Sequence, residues 1–473
     1  MTTRRDSAKL RQFSRFSAKF GPFAVATAVL FVPLSARAEP EQVTVRGGNA
    51  GGFVSRASEG DAPRTITDAA SLLAPLPGVH VRRLGGDDAL STISVRGSSS
   101  SQVAVVLGGV PLTGGADPSL DLASLPLWPG AEMRVYRSFA PATLGPGSLG
   151  GTLVLRAPPQ VSKPRTEVWA AVGSFGSLRL RAADARPLGE GPDAAHVTTA
   201  ISANRSDGNF TYVDPIAAAS GQERIRTREN SEVAAANGLV QWSAPIGFGG
   251  ARRGRLTVLT LLQARRQGVP GTTKAPTFTE NLTSTRALSS IELGFPVGEA
   301  TTLFVRTWGR RDHLALRSRE DEASVSLSPT RTSDTIAALG GSVGVRTRPQ
   351  ERVLLDLRAD ASGERYAPGS WQGAVSPGGA TRVSTGLATD VEARPLERLT
   401  LTASGRADVW HDASSAPRDA STSATTEDVA RATGHLGAEL VLGPLTFATH
   451  VGHLARAPGF VERYGNRGIF LGS

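Results

Sequence analysis

Three short patterns in the chain have residue types and spacing suited to chemistry. In GPGSLGGTLVLRAP, Gly145, Gly147 and Gly150 fit G-x-G-x-x-G, the dinucleotide fingerprint, and Gly145, Gly150 and Thr152 fit a phosphate loop with Gly151 where its lysine belongs. Gly340-Gly341-Ser342-Val343-Gly344 fits G-x-S-x-G, the nucleophile elbow of hydrolases. His435, His450 and His453 lie close together in sequence. Each chemistry needs a particular element beneath it. A pyrophosphate loop must open a helix, yet Gly151 opens TLVLRA, an alternating strand that runs into Pro158-Pro159. The elbow must turn from strand to helix, yet Gly344 continues into the strand-like VRTRP. His450 and His453, three apart on a strand, fall on opposite faces and make poor co-ligands. The expectation is no catalytic site, no cofactor, no metal and no enzyme. The glycines of 145–151 are expected to serve backbone geometry.

The elements explain these failures. From about Val168 the chain alternates. Val353, Leu355, Leu357 and Ala359 oppose Leu354, Asp356, Arg358 and Asp360; Leu399, Leu401, Ala403, Ala407 and Val409 oppose Arg398, Thr400, Thr402, Ser404, Arg406 and Asp408. These are period-2 strands of ten residues or more, longer than the ~5–6 residues usual in globular proteins. Leu355 and Leu401 should face lipid, and Asp356 and Arg406 the interior. Six short turns carry Pro187, Pro245, Pro296, Pro349, Pro395 and Pro444, roughly every fifty residues, and long polar stretches near 206–230, 267–285, 317–334, 364–381 and 411–427 lie between them. Short turns on one rim and long loops on the other describe an outer-membrane barrel. A β-propeller repeats at a similar period, but its strands are shorter and no Gly-His or Trp-Asp signature recurs. Trp169, Trp242, Trp308 and Trp410 suit aromatic girdles, and Tyr366 and Trp371 fall in a long loop. About thirteen strands are present, an odd number that leaves a barrel open, so the chain is expected to be the front part of a longer one.

The N-terminus reads as an export leader, 1–38: basic residues from Arg4 to Lys19, the apolar run GPFAVATAVLFVPL, and Ala36-Arg37-Ala38 as the cleavage site. The leader carries +6 of the formal +10 charge, so the remainder gives little support to a nucleic-acid partner. The chain has no cysteine, which excludes disulfides and thiol chemistry. Residues 48–158 read as a compact α+β domain. TITDAASLLAPLPGV is a short helix capped by Thr67 or Asp68, followed by the strands VHVRRL, STISVRG, QVAVVLGGVPL, AEMRVYR and GTLVLRA.

LLAPLPGVHVRRLGG, ISVRGSSSSQVAVVLGGVPL, DLASLP and MRVYRSFAPATLGPGSLGGTLVLRAP, in that order, resemble the plug domain of TonB-dependent outer-membrane receptors, in the flavour of the cobalamin-receptor branch. QGVPG and LARAPGFVERYG resemble the family's barrel more loosely. The resemblance implies a membrane all-β antiparallel barrel of 22 strands, about 13 of them in residues 162–473, around an N-terminal α+β plug. It implies energy-coupled uptake of a scarce ligand of the cobalamin or ferric-siderophore class. The implied partners are TonB in the periplasm, outer-membrane lipid, the barrel assembly machinery and a small extracellular ligand, in the outer membrane of a Gram-negative bacterium. The alternative is a degenerate or truncated receptor that only binds at the surface. Within 39–47, Glu41, Gln42, Val43, Thr44, Val45, Arg46 and Gly47 fit a TonB box, an extended segment able to add a strand to a partner sheet. The apical loops would supply ligand contacts from Leu84, Gly85, Gly86, Asp87 and Asp88 and from Leu112, Thr113, Gly114, Gly115 and Asp117. Arg96, Gly97, Arg137, Gly145, Gly147, Gly150 and Gly151 fall at the plug's structural positions. The chain departs from the family at Gly108, usually Asp; at Arg134, usually Glu; at Ser138, usually Gly; and at Leu144, usually Tyr. Two acids are lost near Arg96 and Arg137.

Overall fold

A computed structural model describes residues 53–62, 68–83, 89–116, 120–191, 193–219, 221–247, 253–273, 276–318, 331–372, 378–415 and 424–464, which belong to one compact unit. The N-terminal domain is built on a five-stranded sheet. Its strands are β1 (Val54–Ser58), β4 (Val103–Leu107), β5 (Val110–Pro111), β6 (Glu132–Tyr136) and β7 (Gly151–Leu155), in the order β1-β6-β7-β4-β5, with β4 and β7 parallel. A hairpin of β2 (Val79–Arg83) and β3 (Ser91–Val95) and the helix α1 (Ala69–Leu73) pack into the same core as this sheet. Asp68 caps α1, its carboxylate accepting from Ser71 N at 2.6 Å. Leu72, Leu73, Ile93, Val95, Val105, Leu107, Trp128, Met133, Val135, Leu153 and Leu155 form the buried core. The five strands expected from sequence are present; β1 lacked a clear alternating signal, since its two buried residues are Ser55 and Ala57.

The second part is one antiparallel sheet of thirteen strands: β8 (Arg165–Gly173), β9 (Ser177–Leu188), β10 (Ala195–Ser206), β13 (Val233–Gly247), β14 (Arg253–Gly268), β15 (Asn281–Pro296), β16 (Thr301–Arg317), β17 (Arg331–Gln350), β18 (Val353–Gln372), β19 (Ala380–Leu396), β20 (Leu399–Ser414), β21 (Thr425–Leu442) and β22 (Leu445–His453). Between β10 and β13 lie a small hairpin, β11 (Thr211–Val213) and β12 (Ile225–Thr227), and the helix α2 (Pro215–Ala219); α3 (Phe460–Tyr464) follows β22. Each strand pairs with its sequence neighbour in the sheet, and β8 and β22 stand at the two edges.

Strand alternation divides the wall into an apolar outer face and a polar inner one. Outward side chains include Ile201, Val240, Leu339, Leu387, Leu436 and Val451, all exposed. Buried on the inner face are Gln241, Gln263, Arg265, Arg310, Asp312, Asp356, Arg358 and Arg406. A continuous exposed apolar surface of this kind is what lipid contact requires. Leu401 is exposed while Asp356 and Arg406 are buried, as the alternation predicted.

All six prolines lie at one rim. Pro187, Pro245, Pro296, Pro349 and Pro395 sit near strand ends and Pro444 in the turn between β21 and β22. Register shifts fall beside two of them, between Thr347 and Gln350 and between Ala393 and Leu396, where a residue without an N–H interrupts the ladder.

Two expectations are corrected. Trp308 and Trp410 are not in a lipid-facing girdle; both are buried on the inner face, and Trp169 shares the inner face of β8 with Glu167, leaving Trp242 outward. The stretch 364–381 is largely not a loop, because β18 runs on to Gln372 and takes in Tyr366 and Trp371. Polar residues of such a strand extend it above the apolar belt, so polarity alone misplaced the strand end.

Candidate functional site

The plug lies against the inner face of the wall, and its hydrophobic core is continuous with Ala183, Ala200, Leu239, Leu259, Leu261, Leu288, Trp308 and Ala338 of the strands. Polar contacts surround this seam. Most join a wall side chain to plug backbone. Gln241 Nε2 donates to Pro158 O at 2.8 Å and Gln263 Nε2 to Ser124 O at 2.7 Å. Arg306 Nη1 donates to Gly109 O at 3.2 Å. Glu364 accepts from Gly115 N at 2.8 Å and Ala116 N at 3.1 Å. Asp390 accepts from Ala142 N at 2.8 Å and Thr143 N at 2.9 Å. Side-chain ion pairs also cross the seam: Arg265 meets Asp121 at 2.9 Å, and Glu59 meets Arg165 and Arg181 at 3.2 and 3.4 Å. Between plug and wall remains a cavity of about 250 Å³. Thr113, Gly114, Gly115, Gly145 and Gly147 line it from the plug, and Arg310, Arg358, Glu364, Arg382 and Arg406 from the wall.

Of the residues singled out from sequence, Glu41–Gly47, Leu84–Asp88 and Asp117 lie outside the described residues. Leu112 is wholly buried, and Thr113 Oγ1 accepts from Val105 N at 3.2 Å. Gly114 and Gly115 face the cavity, and a Cβ on Gly114 would meet Glu364 Oε1 at 2.6 Å. Arg96, with φ of 52°, donates from Nη1 to Ser138 Oγ at 2.6 Å, and Arg137 Nη1 donates to Pro77 O at 3.2 Å. Burial, with the neighbouring Arg96 guanidinium, lowers the Arg137 pKa from its usual value. Gly97 takes a φ of +79° in the turn after β3.

The glycines of 145–151 shape the backbone. Gly151 opens β7 with φ +128°, and a Cβ there would stand 2.5 Å from Tyr136 O. Gly150 packs against Ser98 and Gln102 O, Gly147 comes close to Ala455 O, and Gly145 takes a φ of +136°. The turn leads into a strand, not a helix. Gly340–Gly344 lies inside β17, where Gly340 and Gly344 leave room for the rings of Trp308 and Phe304 on the paired strand. His435 and His450 are 6.0 Å apart between ring centroids, with Phe139 stacked on His435 at 4.9 Å and Phe53 edge-on to His450 at 4.8 Å. Among the described residues no cluster of three or more metal-ligating side chains occurs.

The departures at 134 and 138 are compensated locally. Arg134 Nε lies 2.6 Å from Glu132 Oε1, and Arg56 and Arg156 reach the same carboxylate at 2.9 and 3.3 Å. Burial raises the Glu132 pKa, but the hydrogen bond and charge of Arg134, with Arg156 and Arg56, outweigh it and hold the carboxyl below its ordinary value. Ser138 supplies the acceptor for Arg96. Glu364, Asp390, Arg358 and Gln263 were not singled out from sequence. Alternation puts them on a wet inner face, but no spacing within a strand tells which plug amide each will meet.

A small α+β domain seated against the inner face of a wall of long antiparallel strands, apolar outside and polar inside, defines the plugged-barrel class of fold. Residues 40–152 match the TonB-dependent Receptor Plug Domain, so the domain they form is a plug of the TonB-dependent receptor family. Over 145 residues it is 26% identical to the vitamin B12 transporter BtuB of Vibrio vulnificus, a stretch that covers 30% of this chain and 23% of that relative. The fold is similar to the copper transporter OprC, with a TM-score of 0.68 at 16% identity, covering 88% of this chain and 66% of that one. It is also similar to the unliganded ferric citrate transporter FecA, with a TM-score of 0.64 at 12% identity, covering 85% and 62%. The chain thus spans less than two thirds of the length of each of these three proteins.

Proposed function

We propose that the protein is an energy-coupled outer-membrane receptor of a Gram-negative bacterium, with residues 48–158 as its plug and 162–473 as barrel wall. It binds a scarce extracellular ligand and admits it when TonB acts on the plug from the periplasm. The observation that carries this reading is the plug–wall seam. The core of the plug is continuous with the wall, yet its rim is held by polar contacts around a cavity, an arrangement suited to a plug that must seal and also rearrange. Glu41–Gly47 is the segment we assign to TonB, since an extended peptide can add to a partner's sheet edge and transmit a pull. Ligand contacts are assigned to Leu84–Asp88 and to Thr113, Gly114, Gly115 and Asp117; Leu112, expected among them, is wholly buried and is left out. A ligand of the cobalamin or ferric-siderophore class is supported by the plug's similarity to vitamin B12 transporters and by the fold shared with a ferric citrate transporter. Outer-membrane lipid and the barrel assembly machinery are the partners that any such wall requires.

The test is uptake of radiolabelled cyanocobalamin and of radio-iron chelates by cells that express the protein in TonB-containing and TonB-deficient hosts. Accumulation of one ligand only where TonB is present supports the reading. Surface binding without TonB-dependent accumulation, for every ligand tried, supports a receptor that only binds.

A further inference from the structure

The plug strip Ser138–Gly147 differs from the rest of its domain. Val135 before it and Ser148, Gly150 and Gly151 after it are buried, but no residue from 138 to 147 is. The hydrophobic core does not hold this strip. Phe139 stacks on His435 of the wall, and the strip's hydrogen-bonded fixed point is the single turn Ala142–Leu144, gripped from three adjacent wall strands. From β19, Asp390 accepts Ala142 N at 2.8 Å with one oxygen, and Thr143 N at 2.9 Å and Thr143 Oγ1 at 2.6 Å with the other. From β18, Arg358 Nη1 donates to Thr143 O at 2.6 Å, and from β20 Arg406 Nη1 donates to Ala142 O at 3.5 Å. The gripping groups are themselves fixed. Ser404 Oγ donates to Asp390, and Arg406 donates to Asp360 at 2.7 Å and to Asp408 at 2.8 Å. Ala142 and Leu144 of the turn line the cavity, as do Arg358, Arg406 and Ser404.

We propose that the Ala142–Leu144 turn is a latch: Asp390, Arg358 and Arg406 position it, and its release frees the strip Ser138–Gly147 from the wall and enlarges the cavity into a path. Every charge in the latch stands on the wall, and the plug contributes backbone and one hydroxyl. Charge-assisted hydrogen bonds of this kind are strong in a closed seam but directional, so a small displacement breaks several together. Core strands β4 and β7, buried in the plug, remain in place while the strip moves. The role in uptake rests on the receptor reading above; the latch itself does not.

Hydrogen–deuterium exchange of the full chain in detergent tests the latch directly. Asp390→Ala and, independently, Ala142→Pro, which deletes one latch N–H and leaves every wall charge in place, should each speed exchange across 138–147 at least tenfold, with 103–107 and 151–155 unchanged. No change in the strip, or equal loss of protection across the whole plug, overturns the proposal. The chain has no native cysteine, so Thr143→Cys/Asp390→Cys gives a clean cross-link. Oxidised, it should abolish accumulation of whichever ligand the native chain takes up, and reductant should restore it; undiminished uptake with the bridge closed overturns the latch. Should the native chain accumulate nothing, the receptor reading fails while the exchange result still decides the latch.

Discussion

Leu357→Arg places a charge on the lipid side of the wall at a depth that the register defines. Leu357 lies on β18, exposed on the outer face between its pair partners Val345 and Thr389, and the adjacent Arg358 points inward and is buried. It is five residues beyond the Glu351–Arg352 turn. At ~3.3 Å per residue and a tilt of roughly 40°, that puts it about 13 Å from the rim, half the height of an apolar band of ~25 Å. An arginine at the midplane of a barrel costs ~2–4 kcal/mol, against ~0–1 near the interface. Leu442 is also outward but immediately precedes the turn at Gly443–Pro444, about 3 Å up by the same measure. Leu357→Arg should therefore destabilise the protein by ~2–4 kcal/mol and Leu442→Arg by under ~1, with Leu401→Arg between them. The assay is denaturant unfolding and refolding in phospholipid vesicles, followed by tryptophan fluorescence. Equal costs at the two depths, or a neutral Leu357→Arg, would refute the assignment of this face to lipid.

Packing and charge lead to three further outcomes. Gly151→Val forces a side chain into positive φ against Tyr136 O and should cost the plug ~1–3 kcal/mol from the strained backbone alone, seen as faster proteolysis within 53–155. Gly340→Val drives a side chain toward the Trp308 ring, 2.7 Å from a Cβ at that position, and toward Ala361 O; a loss of ~1–3 kcal/mol is expected in unfolding, partly recovered in the double variant with Trp308→Ala. For Glu132 the folded pKa lies below the unfolded value of about 4.5, so its contribution is full above that pH and is lost as pH falls through the folded value. Glu132→Gln should therefore flatten the acid limb of the plug's stability profile below about pH 4.5, and an unchanged limb would show that the three arginines do not stabilise this carboxylate.

Much of this architecture is written locally. Leu401 against Arg406, or Leu357 against Arg358, assigns a face by alternation alone, and the six prolines mark one rim because a missing N–H is tolerated at a strand end. Asp68 announces α1 because a cap acts within three residues. The failures have physical causes too. Trp308 and Trp410 looked like girdle residues by type, but parity placed them inside; reading each against its neighbours Arg310 and Asp408 would have done so. The boundary at 364–381 was lost because a strand above the lipid belt need not be apolar. Asp390 was invisible as a site residue. Its partners, Ala142 and Thr143, lie more than 240 positions away and offer mostly backbone, which every residue has.

The coupling segment bears most directly on the function proposed here. Val45→Pro removes a ladder N–H from Glu41–Gly47 and prevents strand addition, while Val45→Ile keeps it. Uptake and surface binding are measured side by side on cells that express native chain or either variant, with the ligand identified in the host comparison. An energy-coupled receptor should show Val45→Pro binding at the surface like native protein and accumulating nothing, with Val45→Ile accumulating normally. Accumulation that persists in Val45→Pro would contradict a receptor driven through this segment.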